Sequence, residues 1–211
     1  MKNARIVEMY WDPGSTNTYF ALKLIRPILE RNAASLVLHP FNLGYVFRLH
    51  RYVLMDEPPA KIDNRKRDLA RWAQKYGLAF RFPSRFPIKT SRILRGSLAM
   101  RRWDRELPFV ERVFAAYWEQ DDAGVADYDG LRPIAAALGA DPDEFEALSE
   151  SEEIRRQLSE STDRGLERGV FGAPSIFVGD ELFWGKDRME FVEDALRSPA
   201  RADIRLPEGI P

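Results

Sequence analysis

The sequence predicts an α/β fold in which one small sheet is built from two distant parts of the chain, β-α-β and then β-β-α, with a large helical insertion between them. Three observations carry this prediction. The chain opens strand, helix, strand. A long middle stretch then shows only helical periodicity. Strand character returns late, in two short runs followed by one last helix.

Each element has its own reason. Residues 5 to 11, R-I-V-E-M-Y-W, alternate as a half-buried strand does. From Ser15 to about Asn32, Phe20, Leu24 and Ile28 recur at helical spacing, as do Leu22, Ile25 and Leu29. A-S-L-V-L-H-P-F, residues 34 to 41, resumes a strand. P-P-A-K opens a charged helix through Tyr76, with Leu69 and Trp72 toward the core. Residues 90 to 104, 107 to 119, 128 to 138 and 152 to 168 also read as helices, with proline and glycine punctuating gaps such as L-G-A-D-P-D-E-F. P-S-I-F-V-G-D-E-L-F-W gives two strands across Gly179-Asp180, a weaker hairpin signal than N-G or D-G. D-R-M-E-F-V-E-D-A-L-R closes the fold as a helix, and L-P-E-G-I-P reads as an extended tail. This order describes a thioredoxin-like sheet interrupted by helices. The expected organisation is a discontinuous sheet domain over 1–44 and 169–200, a helical insertion domain over 45–168 and a tail over 201–211.

Composition narrows the function classes. The 211 residues suit one domain with an insertion or two small ones. A net charge of −1 argues against a general nucleic-acid role, which needs a basic face. No apolar run is long enough to span a membrane. The N-terminus, M-K-N-A-R-I-V-E-M-Y-W, lacks the apolar stretch and cleavage site of a signal peptide, and reads as the first strand of a cytoplasmic protein. The chain has no cysteine, so a disulfide framework, a thiolate metal site and a cysteine nucleophile are all excluded. With two histidines, His39 and His50, no histidine-rich metal site is expected. His39, inside a strand, reads as a satisfied structural histidine.

Four places could carry chemistry. In W-D-P-G-S-T-N-T-Y-F, Ser15 stands where a strand turns into a helix. Locally it reads as an N-cap. The helix head also favours an anion, to which the hydroxyl could donate. No triad partner is evident for a serine nucleophile. In G-V-F-G-A-P-S-I-F-V, Gly169 can end a helix and Ala173-Pro174 begins a strand, where a proline is permitted. A cis bond there would turn the Ala173 backbone toward an extended peptide ligand. In F-W-G-K-D-R-M-E, Asp187 and Glu190 have capping-box spacing, and Asp187 could instead pair with a ligand ammonium. Lys61, near a helix start, is either solvated or the neutraliser of a carboxylate. The basic stretch S-R-F-P-I-K-T-S-R-I-L-R-G reads mainly as a solvated face, with attraction of an anionic substrate as the alternative.

The ordered set of motifs resembles the 2-hydroxychromene-2-carboxylate isomerases and kappa-class glutathione transferases, which are DsbA-like. The first strand is followed by D-x-x-S, Asp12 to Ser15. P-F-N-L-G-Y-V-F resembles the P-x-x-L-G-x-x-F turn, and P-A-K-I-D-N-R-K-R-D-L-A-R-W-A the P-x-K…D-L-x-R-W helix. F-P-I-K-T-S-R-I-L-R-G-S-L-A resembles F-P-x-N-T…R-x-x-L-A, and A-A-Y-W, G-V-F-G-A-P and F-W-G-K-D-R complete a match from about residue 6 to residue 197. Departures are Thr16-Asn17-Thr18 after the serine, R-Y-V-L-M-D-E where a glycine-asparagine often stands, Lys89 for an asparagine and Ala173 for a valine.

The resemblance implies glutathione as the source of sulfur, with Ser15 activating its thiol. Ala173 and Pro174 would pair with the cysteinyl backbone across a cis bond. Asp187, with the Lys186 backbone, would hold the γ-glutamyl end, and Lys61 would face the glycyl carboxylate. It further implies an isomerase in which the thiolate adds to a conjugated aromatic pyruvate, the bond rotates and elimination returns the thiol. A kappa-like transferase or peroxidase acting on small electrophiles, and a non-catalytic thiol-peptide-binding protein, are the alternatives. A homodimer is implied too, with Trp103, Trp118 and Tyr117 as exposed aromatics serving either an interface or the core.

Overall fold

The computed structural model describes residues 5–53 and 56–198. Four strands form one sheet: β1 (Arg5–Trp11), β2 (Ala34–Pro40), β3 (Ser175–Val178) and β4 (Glu181–Trp184). Helix α1 (Thr16–Asn32) joins β1 to β2. Between β2 and β3 run α2 (Leu43–Leu49), α3 (Pro59–Tyr76), α4 (Ser91–Ala99), α5 (Glu106–Trp118), α6 (Tyr128–Ala136), α7 (Pro142–Ser149) and α8 (Glu152–Glu167). Helix α9 (Met189–Arg197) follows β4. No helix among the described residues is long and apolar enough to cross a membrane.

The sheet order is β2-β1-β3-β4. β1 runs parallel to β2 and antiparallel to β3, and β3 and β4 form the hairpin expected across Gly179-Asp180. The alternation in β1 sorts its side chains onto two faces. Val7, Met9 and Trp11 enter the larger core with Phe20 and Ile25 of α1, Val192 of α9, and Phe114 and Trp118 of α5. Tyr10 enters a second cluster with Phe41, Val46, Val170 and Phe177. Helix α8 approaches this second cluster at Gly165. A Cβ there would stand 2.9 Å from the Phe41 ring and 3.0 Å from Tyr10.

Several expectations need correction. The segment 90–104 is not one helix: α4 tightens at Met100 into a 3-10 turn and stops at Asp104, whose φ of 55° is left-handed. Helices α2 and α7 went unread in the sequence. Tyr117 and Trp118 are not exposed: both are fully buried, because α5 packs Phe109, Val110, Val113, Phe114 and these two rings into the larger core. Trp103 is partly buried against that core. The exposed aromatics include Phe171, Trp184 and Phe191. The expected tail, 201–211, lies outside the described residues.

Candidate active site

The site lies beyond the C-terminal end of β1, where open α/β sheets place their ligands. Ser15 is the N-cap of α1, with extended backbone (φ −93°, ψ 117°). Its Oγ accepts the Thr18 N–H at 3.3 Å and donates to the Ala173 carbonyl at 2.8 Å. The capping bond is the longer of the two. The hydroxyl therefore both caps its helix and bridges to the loop before β3, 158 residues away.

The Ala173–Pro174 bond is cis. Both residues are buried, and pairing of Tyr10 with Ser175 sets the loop beside the head of α1. The Pro174 carbonyl accepts the Gly185 N–H at 3.0 Å, which ties the loop to the turn Lys186–Arg188. A second cis bond, Phe86–Pro87, was not anticipated.

Asp187 is exposed and does not cap a helix. No side chain caps α9, and the Asp187 carboxylate instead accepts from Arg188 Nη1 at 2.7 Å. The capping-box spacing is present, but the adjacent guanidinium takes the carboxylate first. Lys186 is placed by its side chain as well as its backbone. Its ammonium lies 4.5 Å from the centre of the Trp72 ring and 3.8 Å from Asp68, both on α3. Burial pulls its pKa below the ordinary lysine range, against the pull of Asp68 and Asp187.

Lys61 stands two turns before Asp68 on α3, about 10 Å along the axis at the usual rise. Its ammonium pairs with Glu57 at 3.0 Å, and Arg65 pairs with the same carboxylate. The lysine side chain is 65% exposed, so this pair adds little stability and can exchange for another carboxylate. The structure thus joins Ser15, Ala173 and Pro174 directly. Gly185 connects them to Lys186 and Asp187, and α3 carries Lys61 at a greater distance.

The reading of the basic stretch holds in part. Lys89 and Arg85 are exposed and make no ion pair among the described residues, whereas Arg92 pairs with Asp127, and the largely buried Arg95 with Glu150. His39 is the satisfied structural histidine expected: Nε2 is 2.7 Å from Glu8 Oε2, and the ring stacks on Tyr10.

Two features were missed. Asp12 is only 1% exposed, and its carboxylate accepts hydrogen bonds from Gly14 N–H, Leu43 N–H and the Thr90 hydroxyl. Burial pushes its pKa up to about 6, even though all three donors favour the anion. The signal was present in D-P-G-S, since an aspartate before proline-glycine bonds its own turn. The second is an aromatic wall. Trp118 donates its indole N–H to the Pro13 carbonyl at 2.9 Å and packs against Phe80, Phe82 and Phe86. Among the described residues no group of three His, Cys, Asp or Glu side chains could hold a metal ion.

A family model for the DSBA-like thioredoxin domain matches residues 6–197. The 2-hydroxychromene-2-carboxylate isomerase of Pseudomonas putida is 30% identical over 210 residues, spanning 95% of this chain and 98% of that protein. The chain belongs to the DsbA-like family of 2-hydroxychromene-2-carboxylate isomerases and kappa-class glutathione transferases. A solved 2-hydroxychromene-2-carboxylate isomerase superposes with a TM-score of 0.80 at 29% identity, over 95% of this chain and all of that one (100%). Glutathione S-transferase kappa 2 of Caenorhabditis elegans is 26% identical, with 97% of each chain covered. The protein is accordingly an enzyme of this isomerase and transferase family, built on the DsbA-like thioredoxin fold.

Proposed function

We propose that this chain is a glutathione-dependent isomerase of the 2-hydroxychromene-2-carboxylate type. The observation that carries the reading is the Ser15 hydroxyl at the head of α1, 2.8 Å from the carbonyl of the residue before a cis proline. The donor set suits a thiol tripeptide with two carboxylates and one ammonium. Ser15 offers a hydroxyl, Lys61 an exposed cation, Asp187 an exposed anion, and the Ala173–Pro174 loop a backbone platform. Ser15 would hold the sulfur, Ala173 and Pro174 the cysteinyl backbone, Lys186 (through its backbone) and Asp187 the γ-glutamyl end, and Lys61 the glycyl carboxylate. When bound, glutathione supplies the thiolate that adds to a conjugated aromatic pyruvate and leaves again.

The residues of the chain do the rest. One hydroxyl proton cannot serve both the Ala173 carbonyl and a sulfur. Holding a thiolate therefore requires the Ser15 hydroxyl to turn from Ala173, which frees that carbonyl for a ligand amide. The donated proton and the positive end of α1 both favour the ionised sulfur, as they do for low-pKa thiols in general. Phe82 is exposed and Phe86 half-buried, and both pack on the buried Trp118 whose indole N–H holds the Pro13 carbonyl, so these two phenylalanines offer apolar surface on the side of the Pro13-Gly14-Ser15 turn.

The likeness to a kappa-class glutathione transferase favours a second reading, conjugation or reduction of small electrophiles. Incubation of a hydroxychromene carboxylate with sub-stoichiometric glutathione separates the two. Isomerisation with total glutathione unchanged supports the first, and glutathione depletion with an electrophile supports the second. Absence of heat on titration with glutathione would remove both. A homodimer belongs to the same reading, and sedimentation as a monomer at micromolar concentration would remove it.

A further inference from the structure

The D-P-G-S turn that carries Ser15 is held by one carboxylate. Asp12 Oδ1 accepts the Gly14 N–H at 2.8 Å. Oδ2 accepts the Leu43 N–H at 3.1 Å and the Thr90 hydroxyl at 3.0 Å. These donors come from three separate segments: the turn itself, the first residue of α2 and the residue before α4. The Asp12 main chain joins in, since its carbonyl accepts the Ser15 N–H at 3.1 Å.

Thr90 adds an independent observation. It stands at the N-cap of α4, where a threonine side chain ordinarily bonds its own helix, yet it makes no capping bond. Its hydroxyl goes to Asp12 instead. The fit between these residues is close. A Cβ on Gly14 would stand 3.1 Å from Asp12 Oδ1 and 3.2 Å from Thr90 Cγ2. Three donors converging on one buried side chain require an acceptor-only group. A carboxylate has lone pairs for all of them, whereas an amide would turn a donor of its own toward one.

We propose that Asp12 and Thr90 are positioning residues for Ser15, with the Thr90–Asp12 hydrogen bond fixing the Gly14–Ser15 turn against α4 so that the serine hydroxyl meets its ligand in one orientation. The proposal rests on the glutathione reading only for what the hydroxyl meets. The clamp itself is a property of the ligand-free chain.

The test uses amide hydrogen exchange, followed by nuclear magnetic resonance, in the ligand-free protein. Thr90→Val is isosteric and lacks the hydroxyl, and Thr90→Ser keeps it. The valine variant should speed exchange at Gly14 and Ser15 by about tenfold to a hundredfold, the equivalent of one hydrogen bond to a charged group. Amides in the middle of α9 should not change, and Thr90→Ser should restore the wild-type rates. Unchanged Gly14 and Ser15 amides in Thr90→Val would overturn the proposal. So would faster exchange throughout α9, which marks a general loss of stability. If Thr90→Val does not fold, Thr90→Ala removes the same hydroxyl without added bulk and is scored the same way. A second arm follows the ultraviolet absorbance of bound glutathione thiolate against pH. Thr90→Val should raise the midpoint and Thr90→Ser should not. Local loosening with an unmoved midpoint would also overturn the link to Ser15. If the wild type binds no glutathione, the proposed function falls, and the exchange arm alone still decides the clamp.

Discussion

Replacing Asp12 with asparagine should change how stability depends on pH, by an amount fixed by the carboxylate's surroundings. Asp12 titrates near pH 6 in the folded protein, against an ordinary 3.8, because burial outweighs its three hydrogen bonds. Between those values the folded chain keeps a proton that the unfolded chain has released. The resulting stabilisation is complete only below about pH 3, under the unfolded value, and is lost as pH rises through 6. The gap corresponds to about 3 kcal/mol at about 1.4 kcal/mol per pH unit. Asp12→Asn has nothing to titrate. The unfolding free energy of the wild type minus that of the variant should therefore fall by about 2.5 kcal/mol from pH 4 to pH 7.5, most of that gap. Urea unfolding at half-unit pH steps, with equal slopes in both proteins, measures it. Glu8, Glu150 and Glu193, whose pKa values lie below the ordinary range, pull the other way, but are common to both proteins and cancel. A difference that stays flat across this range would show that Asp12 is not the buried carboxylate with a raised pKa described.

Substitutions at two further positions probe the scaffold. Gly165→Ala should lower the melting temperature, because overpacking against Phe41 and Tyr10 costs about 1–3 kcal/mol against a helix-propensity gain of about 1 kcal/mol. A calorimetric melt at or above the wild-type temperature would refute this. Lys186→Met should cost less than about 1 kcal/mol, since burial already disfavours the ammonium and methionine still covers Trp72, whereas Lys186→Ala should cost more by uncovering the ring. Equal denaturation midpoints for the two variants would contradict that account.

The fold was legible because periodicity changes along the chain, from alternation in R-I-V-E-M-Y-W to helical spacing and back at S-I-F-V. The helix α2 was not, because L-G-Y-V-F-R-L is too short for a period to establish itself. The start of α7 was misread as punctuation, although Asp141 followed by Pro142 is itself a helix start, and the Asp141 carboxylate accepts the Asp143 and Glu144 N–H groups. Ser15 and Ala173-Pro174 were each legible as local motifs, but their contact depends on the β1–β3 pairing, which no local pattern encodes. The sequence marks Asp12 only as the first residue of D-x-x-S; its burial is not legible there, because two of its donors arrive from residues 43 and 90. Asp187 misled through correct spacing, as the neighbouring Arg188 satisfies the carboxylate that spacing assigned to a cap.

The central claim is that Ser15 holds a glutathione thiolate, and the pH titration of bound thiolate absorbance in the wild type and Ser15→Ala tests it most directly. Loss of the cap alone would cost about 0.5–2 kcal/mol of stability and leave the sulfur untouched. Loss of a hydrogen bond to the anion is worth about 1.5–3 kcal/mol, so the thiol midpoint should rise by about one to two pH units while binding persists. A midpoint equal to that of the wild type, with turnover intact, would reduce Ser15 to a helix cap and contradict the account.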